Sequence, residues 1–201
     1  MPTTATATNF SKTRVARGPG KLYISVALPA TGSQVVLHTD GSIDSTLSPN
    51  AKHVGMTKAG AKCSYTVESD KREADEFRTP YFTASYLKDM VIEVDMLQVF
   101  EPDILALITP TAKKITGVSG VEGITLGGSV VGLSTCAALV FPSAADPTKF
   151  CVWMLYDAQN EGGADVTINS KEDGTLKLKL VGSTVPTRPE GDQVGQIWRQ
   201  I

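Results

Sequence analysis

The sequence predicts a mainly β protein: an antiparallel β-sandwich or barrel-like domain with one short flanking α-helix, a long inter-strand loop and terminal arms. Three observations carry this. Several segments alternate apolar and polar residues with period two, the mark of a strand with one dry and one wet face. Two others, "CAALVF" and "KFCVWMLY", are continuously apolar and read as strands buried on both faces. Only one stretch carries helix start and stop signals.

The composition sets bounds on this fold. With 201 residues, 41% of them hydrophobic, the chain has enough apolar matter for one globular core. A net charge of −2 argues against a dedicated nucleic-acid binder, which would carry a basic excess. No run approaches the twenty apolar residues of a membrane span, and the first residues lack the apolar segment of a signal peptide. Cys63, Cys136 and Cys151 are an odd, scattered set that reads as free thiols of a reducing cytoplasm.

Residues 1–18 read as an N-terminal arm, small and polar, with Lys12, Arg14 and Arg17 and no acid. The β-sandwich is expected over 19–185. In "KLYISVALP", Leu22, Ile24, Val26 and Leu28 face inward, Tyr23, Ser25 and Ala27 lie opposite, and Pro29 ends the strand. A long loop spans about 30–60, broken only by a strand-like "QVVLHTD".

Lys62 to Asp70 alternates strictly. Cys63, Tyr65 and Val67 form the dry face; Lys62, Ser64, Thr66, Glu68 and Asp70 form the wet one. The run ends in "ESDKREADE", five acids against Lys71 and Arg72. After Pro80, "YLKDMVIEVDMLQV" repeats the design. Met90, Ile92, Val94 and Met96 share one face, Asp89, Val91, Glu93 and Asp95 the other, and Lys88 takes the register of Met90. Both strands thus pair an apolar face with an acidic one.

The helix is expected at about 101–109. Pro102 suits its first turn, Asp103 the positive end of its dipole, and Pro110 stops it, with Ile104, Leu105 and Ile108 as the apolar stripe. The glycine-rich stretch 111–135 reads as thin strands joined by turns. "ADVTINSKEDGTLKLKL" reads as a hairpin, with Val166, Ile168, Leu176, Leu178 and Leu180 inward, Lys177 and Lys179 outward, and a turn at Glu172–Gly174. Residues 186–201 read as a C-terminal arm or strand carrying Trp198, an aromatic suited to docking on something else.

Catalytic signatures are missing. There is neither a GxSxG elbow nor a GxxxxGK[ST] phosphate loop, and His38 and His53 with three dispersed cysteines make no zinc spacing. The carboxylates at 68–76 lack the rhythm of a calcium loop. The expectation is a non-enzyme with no cofactor and no metal.

Taken in order, "HVGMTKAGAKCSYT", "EADEFRTP", "EPDILALI" and the terminal "GDQVGQIWRQI" resemble the major tail tube proteins of long-tailed, siphovirus-type bacteriophages. The closest matches are the G-x-T-x-x-G at Gly55, Thr57 and Gly60 and the acid-then-proline at Asp75, Glu76 and Pro80. The resemblance covers roughly Lys21–Thr109 and Phe150–Ile201; residues 111–149 match nothing in it.

The resemblance implies a structural virion protein. Its subunits would close into hexameric rings that stack as a hollow tube around a tape-measure protein, and genomic double-stranded DNA would later pass through without specific binding. Partners would be further copies of the chain, the tape-measure protein, and the tail terminator and distal tail proteins. The place would be the virion tail, assembled in the bacterial host cytoplasm, with no membrane. Glu68, Asp70, Glu93 and Asp95 would line the channel, where lysine or arginine would bind phosphate and stall passage. Arg14, Arg17, His53, Met56 and Trp198 would make inter-subunit contacts. The competing readings are an isolated β-sandwich ligand- or glycan-binding module, for which Tyr23, Tyr86 and Trp198 are the candidate exposed aromatics, and a capsid decoration protein.

Overall fold

A computed structural model describes residues 20–55, 57–72, 82–97, 101–109, 112–117, 119–127, 135–144, 146–161, 165–167 and 175–201. The strands are β1 (Lys21–Ile24), β2 (Lys52–His53), β3 (Thr57–Arg72), β4 (Phe82–Met96), β5 (Ala112–Lys114), β6 (Ile124–Leu126), β7 (Thr135–Pro142), β8 (Phe150–Asn160), β9 (Asp165–Thr167), β10 (Thr175–Gly182) and β11 (Gly195–Arg199). Among the described residues the one helix, α1, spans Pro102–Ile108. The fold is mainly β, antiparallel and sandwich-like, as expected, but its sheet is not closed into a barrel.

One sheet of nine strands forms the body, in the order β2-β1-β7-β8-β10-β4-β3. Strand β8 is its branch point. β7 runs along it, β11 pairs with Cys151–Leu155, and β10 with Ala158–Asn160. β5 and β6 form a separate two-stranded sheet within the glycine-rich stretch.

Two apolar clusters lie on opposite faces of β1, β7 and β8. The first joins Leu22, Ile24, Ala137, Leu139 and Leu155 to Met90, Ile92, Val94 and Met96 of β4, Leu176, Leu178 and Leu180 of β10, and Ile104 of α1. The second gathers Tyr23, Ala138, Val140, Val152 and Met154 under Val26, Val35 and Ile43 of the loop after β1. This explains why the β7 and β8 runs are apolar throughout while β4 and β10 alternate. Each fully buried aliphatic side chain contributes about 1.5–3 kcal/mol of transfer energy.

Several local expectations change. β1 stops at Ile24, because Ser25 adopts φ 56° and donates its N–H to Thr135 Oγ1 at 3.0 Å. The alternation breaks there, so Val26 joins Tyr23 in the second cluster and Leu28 is 44% exposed. Tyr23, expected on a wet face, is buried. "QVVLHTD" forms only one bridge, Leu37 to Ile43, around a turn in which Asp40 accepts from the N–H and hydroxyl of Ser42. Gly41 in that turn has φ 76°, and a Cβ there would meet the Phe150 ring at 2.5 Å. The long loop is therefore a fitted cover over the second cluster.

The helix matches its expected place. Pro102 opens it, Asp103 lies in the first turn, and the Thr109 N–H closes it on the Leu105 carbonyl. β9 and β10 pair as the expected hairpin, although its turn lies outside the described residues. The segment read as a C-terminal arm or strand is a strand of the chain's own sheet. Arg188 helps to anchor it. Its guanidinium is buried, donates to the Pro29 carbonyl at 2.8 Å and to Asp192 Oδ2 at 2.7 Å, and stacks 4.2 Å over the Tyr156 ring. The arm at 1–18 lies outside the described residues.

Candidate functional site

Strands β3 and β4 are 16 and 15 residues long, far more than the usual five or six. At about 3.4 Å per residue they make a ribbon about 50 Å long. Its register puts Lys62 opposite Glu93, Cys63 opposite Ile92, Ser64 opposite Val91 and Tyr65 opposite Met90. Opposed residues share a face. Ala61, Cys63, Ile92 and Val94 therefore look into the first cluster, while Lys62, Ser64, Val91 and Glu93 look away.

A bulge then changes the count. Thr66 opposes Asp89 and Val67 opposes Leu87, so Lys88 is an extra residue in β4. The sequence alternation put Lys88 in the register of Met90. The bulge instead delivers it to the polar face, where its ammonium donates to Glu68 Oε1 at 2.8 Å. Tyr86 donates its hydroxyl to the other oxygen, Oε2, at 2.9 Å. The Lys88 bond first, and the Tyr86 bond second, hold the Glu68 carboxyl below its usual pKa. The same contact raises Lys88 and Tyr86 above theirs.

Glu68, Asp70, Glu93 and Asp95 all fall on this polar face, together with Asp89, and lysines are interleaved with them. Lys62 donates to Glu93 Oε2 at 3.1 Å. Strand β10, on the other side of β4, sets Lys179 opposite Glu93 and Lys177 opposite Asp95. Lys179 also donates to Glu161 Oε2 at 2.9 Å. Acidic and basic side chains thus alternate across three strands. The "LKLKL" alternation already puts Lys177 and Lys179 outward; what it does not carry is that β10 lies beside β4.

The opposite face of the ribbon outruns its cover. Tyr65 is 58% exposed, Val67 52% and Leu87 39%, all in the row that begins with the half-buried Cys63 and the buried Ile92. Tyr65 leans on Trp153 with ring centroids 6.2 Å apart, and Ile197, opposite Trp153 on β11, is also exposed. Among the described residues no strand pairs with the outer edge of β3.

Comparison with protein-family models and with curated proteins finds no match to this chain.

The remaining named residues are dispersed. His53 lies on the short edge strand β2, its ring 5.2 Å from that of Tyr23. Partial desolvation, and then the charge of Lys21, lower its pKa. Trp198 packs against its own chain's second cluster from β11, and its Nε1 is buried without a partner. Arg14, Arg17 and Met56 lie outside the described residues. Among the described residues no group of His, Cys, Asp and Glu is placed to hold a metal, and no helix is long and apolar enough to cross a membrane. An open groove of about 780 Å³ between the end of β1 and α1 holds Ser25, Ser48, Lys52, Asp103 and Thr135 on its walls. Asp103 is already shared there by Lys52 at 3.7 Å and Lys114 at 2.9 Å.

Proposed function

We propose that this chain is a structural, non-enzymatic subunit of a phage tail tube. It assembles with copies of itself into stacked, hexameric rings around a tape-measure protein. It meets tail terminator and distal tail proteins at the tube's ends, and it passes double-stranded DNA without binding it. The observation that supports this is the β3–β4 ribbon. It combines a polar face, an apolar face that its own chain covers only in part, and a long outer edge with no partner among the described residues. An edge of that length left open is an aggregation hazard, and pairing or covering it across subunits removes the hazard. Tyr65, Val67 and Leu87 would be buried in the same step.

Electron microscopy of the purified protein tests this reading. Rings or tubes with a central channel are the expected result. A strictly monomeric species at high concentration, with no rings in the field, would overturn it.

A further inference from the structure

We propose that the β3–β4–β10 face is a charge-compensated wall for a phosphate polyanion. Its carboxylates act chiefly by occupying the lysines between them, so that the face becomes a duplex-binding surface when they are neutralised. The inference rests on the tube reading for its occupant, double-stranded DNA, but its chemistry stands on the single chain.

The geometry is that of rungs. Lys62 meets Glu93 at 3.1 Å, Lys88 meets Glu68 at 2.8 Å, and Lys177 and Lys179 stand across from Asp95 and Glu93. A wall of acids alone would set like charges side by side on neighbouring strands, which destabilises a sheet. Lysines relieve that crowding, yet a row of unpaired lysines would hold phosphate, each contact adding affinity by counterion release. Pairing in register meets both demands. Opposite charges about 3 Å apart cancel within a short distance, so the Lys62 and Lys88 ammoniums are occupied, while Lys177 faces the Asp95 carboxylate across the ladder. The bulge at Lys88 belongs to this device, because without it the ammonium would leave the face and Glu68 would keep only its bond from Tyr86.

The test uses the monomeric fraction of the full chain, isolated by size exclusion so that the face is open to solvent. Fluorescence anisotropy with a labelled 20-base-pair duplex reads binding of the natural protein, of E68Q/E93Q/D95N, and of that variant carrying K62Q/K88Q/K177Q as well. Circular dichroism and melting confirm that all three are folded. The charge-neutralised variant is expected to bind at least about tenfold more tightly than the natural protein at 50 mM salt. With Lys62 and Lys88 released and Lys177 no longer facing a carboxylate, its log–log salt slope should approach about −2.7, a loss of roughly 40-fold between 50 and 200 mM. The added lysine changes should abolish the gain. A folded E68Q/E93Q/D95N protein that binds no better than the natural one overturns the proposal, as does a gain that survives loss of the lysines. Ring formation, scored separately by electron microscopy, tells failure of this inference from failure of the tube reading.

Discussion

Glu68 shows how one side chain is tuned by neighbours that local spacing does not reveal. It accepts from Lys88 and Tyr86, both on the next strand, and its carboxyl pKa is lowered, Lys88 being the larger cause. A lowered folded pKa means that the contact stabilises above the ordinary carboxyl value of about 4.3 and is lost as pH falls through the folded value. The carboxyl is solvent-exposed, so the energetic effect is small while the titration shift is measurable. Side-chain NMR should place the Glu68 midpoint below the ordinary value. Lys88→Gln should raise it towards that value, and Tyr86→Phe should raise it less. A midpoint that neither change moves would mean that the contact does not form in solution. Ser25 makes the same point for the backbone. One residue at positive φ transfers Val26 from one cluster to the other, and nothing in "KLYISVALP" marks it.

At the scale of elements, what could be read from the sequence was what depends on near neighbours along the chain. The alternation of β4 and β10, the apolar runs of β7 and β8, and the proline and aspartate of α1 each follow from residues a few positions apart. What could not be read were the pairings that join distant segments: β10 beside β4, the bulge at Lys88, and the place of β11. Trp198 looked free to dock elsewhere because its partner in the ladder, Val152, lies far back in the chain. The structure makes it part of the second cluster, so Trp198→Ala should lower monomer stability by about 2 kcal/mol, less than a fully buried tryptophan because it is only partly covered. Deleting 195–201 should cost more, since it opens an edge of β8 as well. Urea midpoints measure both, and an unchanged midpoint for the deletion would return this segment to the status of an arm.

For the whole molecule, folding and assembly draw on different surfaces. Tyr65→Ser with Val67→Ser removes apolar area that the single chain leaves exposed. The monomer should therefore melt within about 0.5 kcal/mol of its original stability while rings and tubes disappear from micrographs. Loss of the fold instead would put these residues in the monomer's core. Removing residues 1–17 should leave the melting transition in place and weaken the stacking of rings, seen as shorter tubes at equal concentration; an unfolded monomer would make the arm part of the domain. The branch at β8 also imposes a timetable. Its last residue, Asn160, precedes the first residue of β11 by 35 positions, an interval of roughly two to seven seconds at about 5–20 residues synthesised per second. During that interval half of the branch strand waits for its neighbour, and Pro29 waits for an arginine 159 positions away. A nascent chain interrupted in this window exposes a raw strand edge at the centre of its own sheet. Such a fragment keeps open the edge that β11 closes on Cys151–Leu155, and an open edge is a template for pairing with other chains.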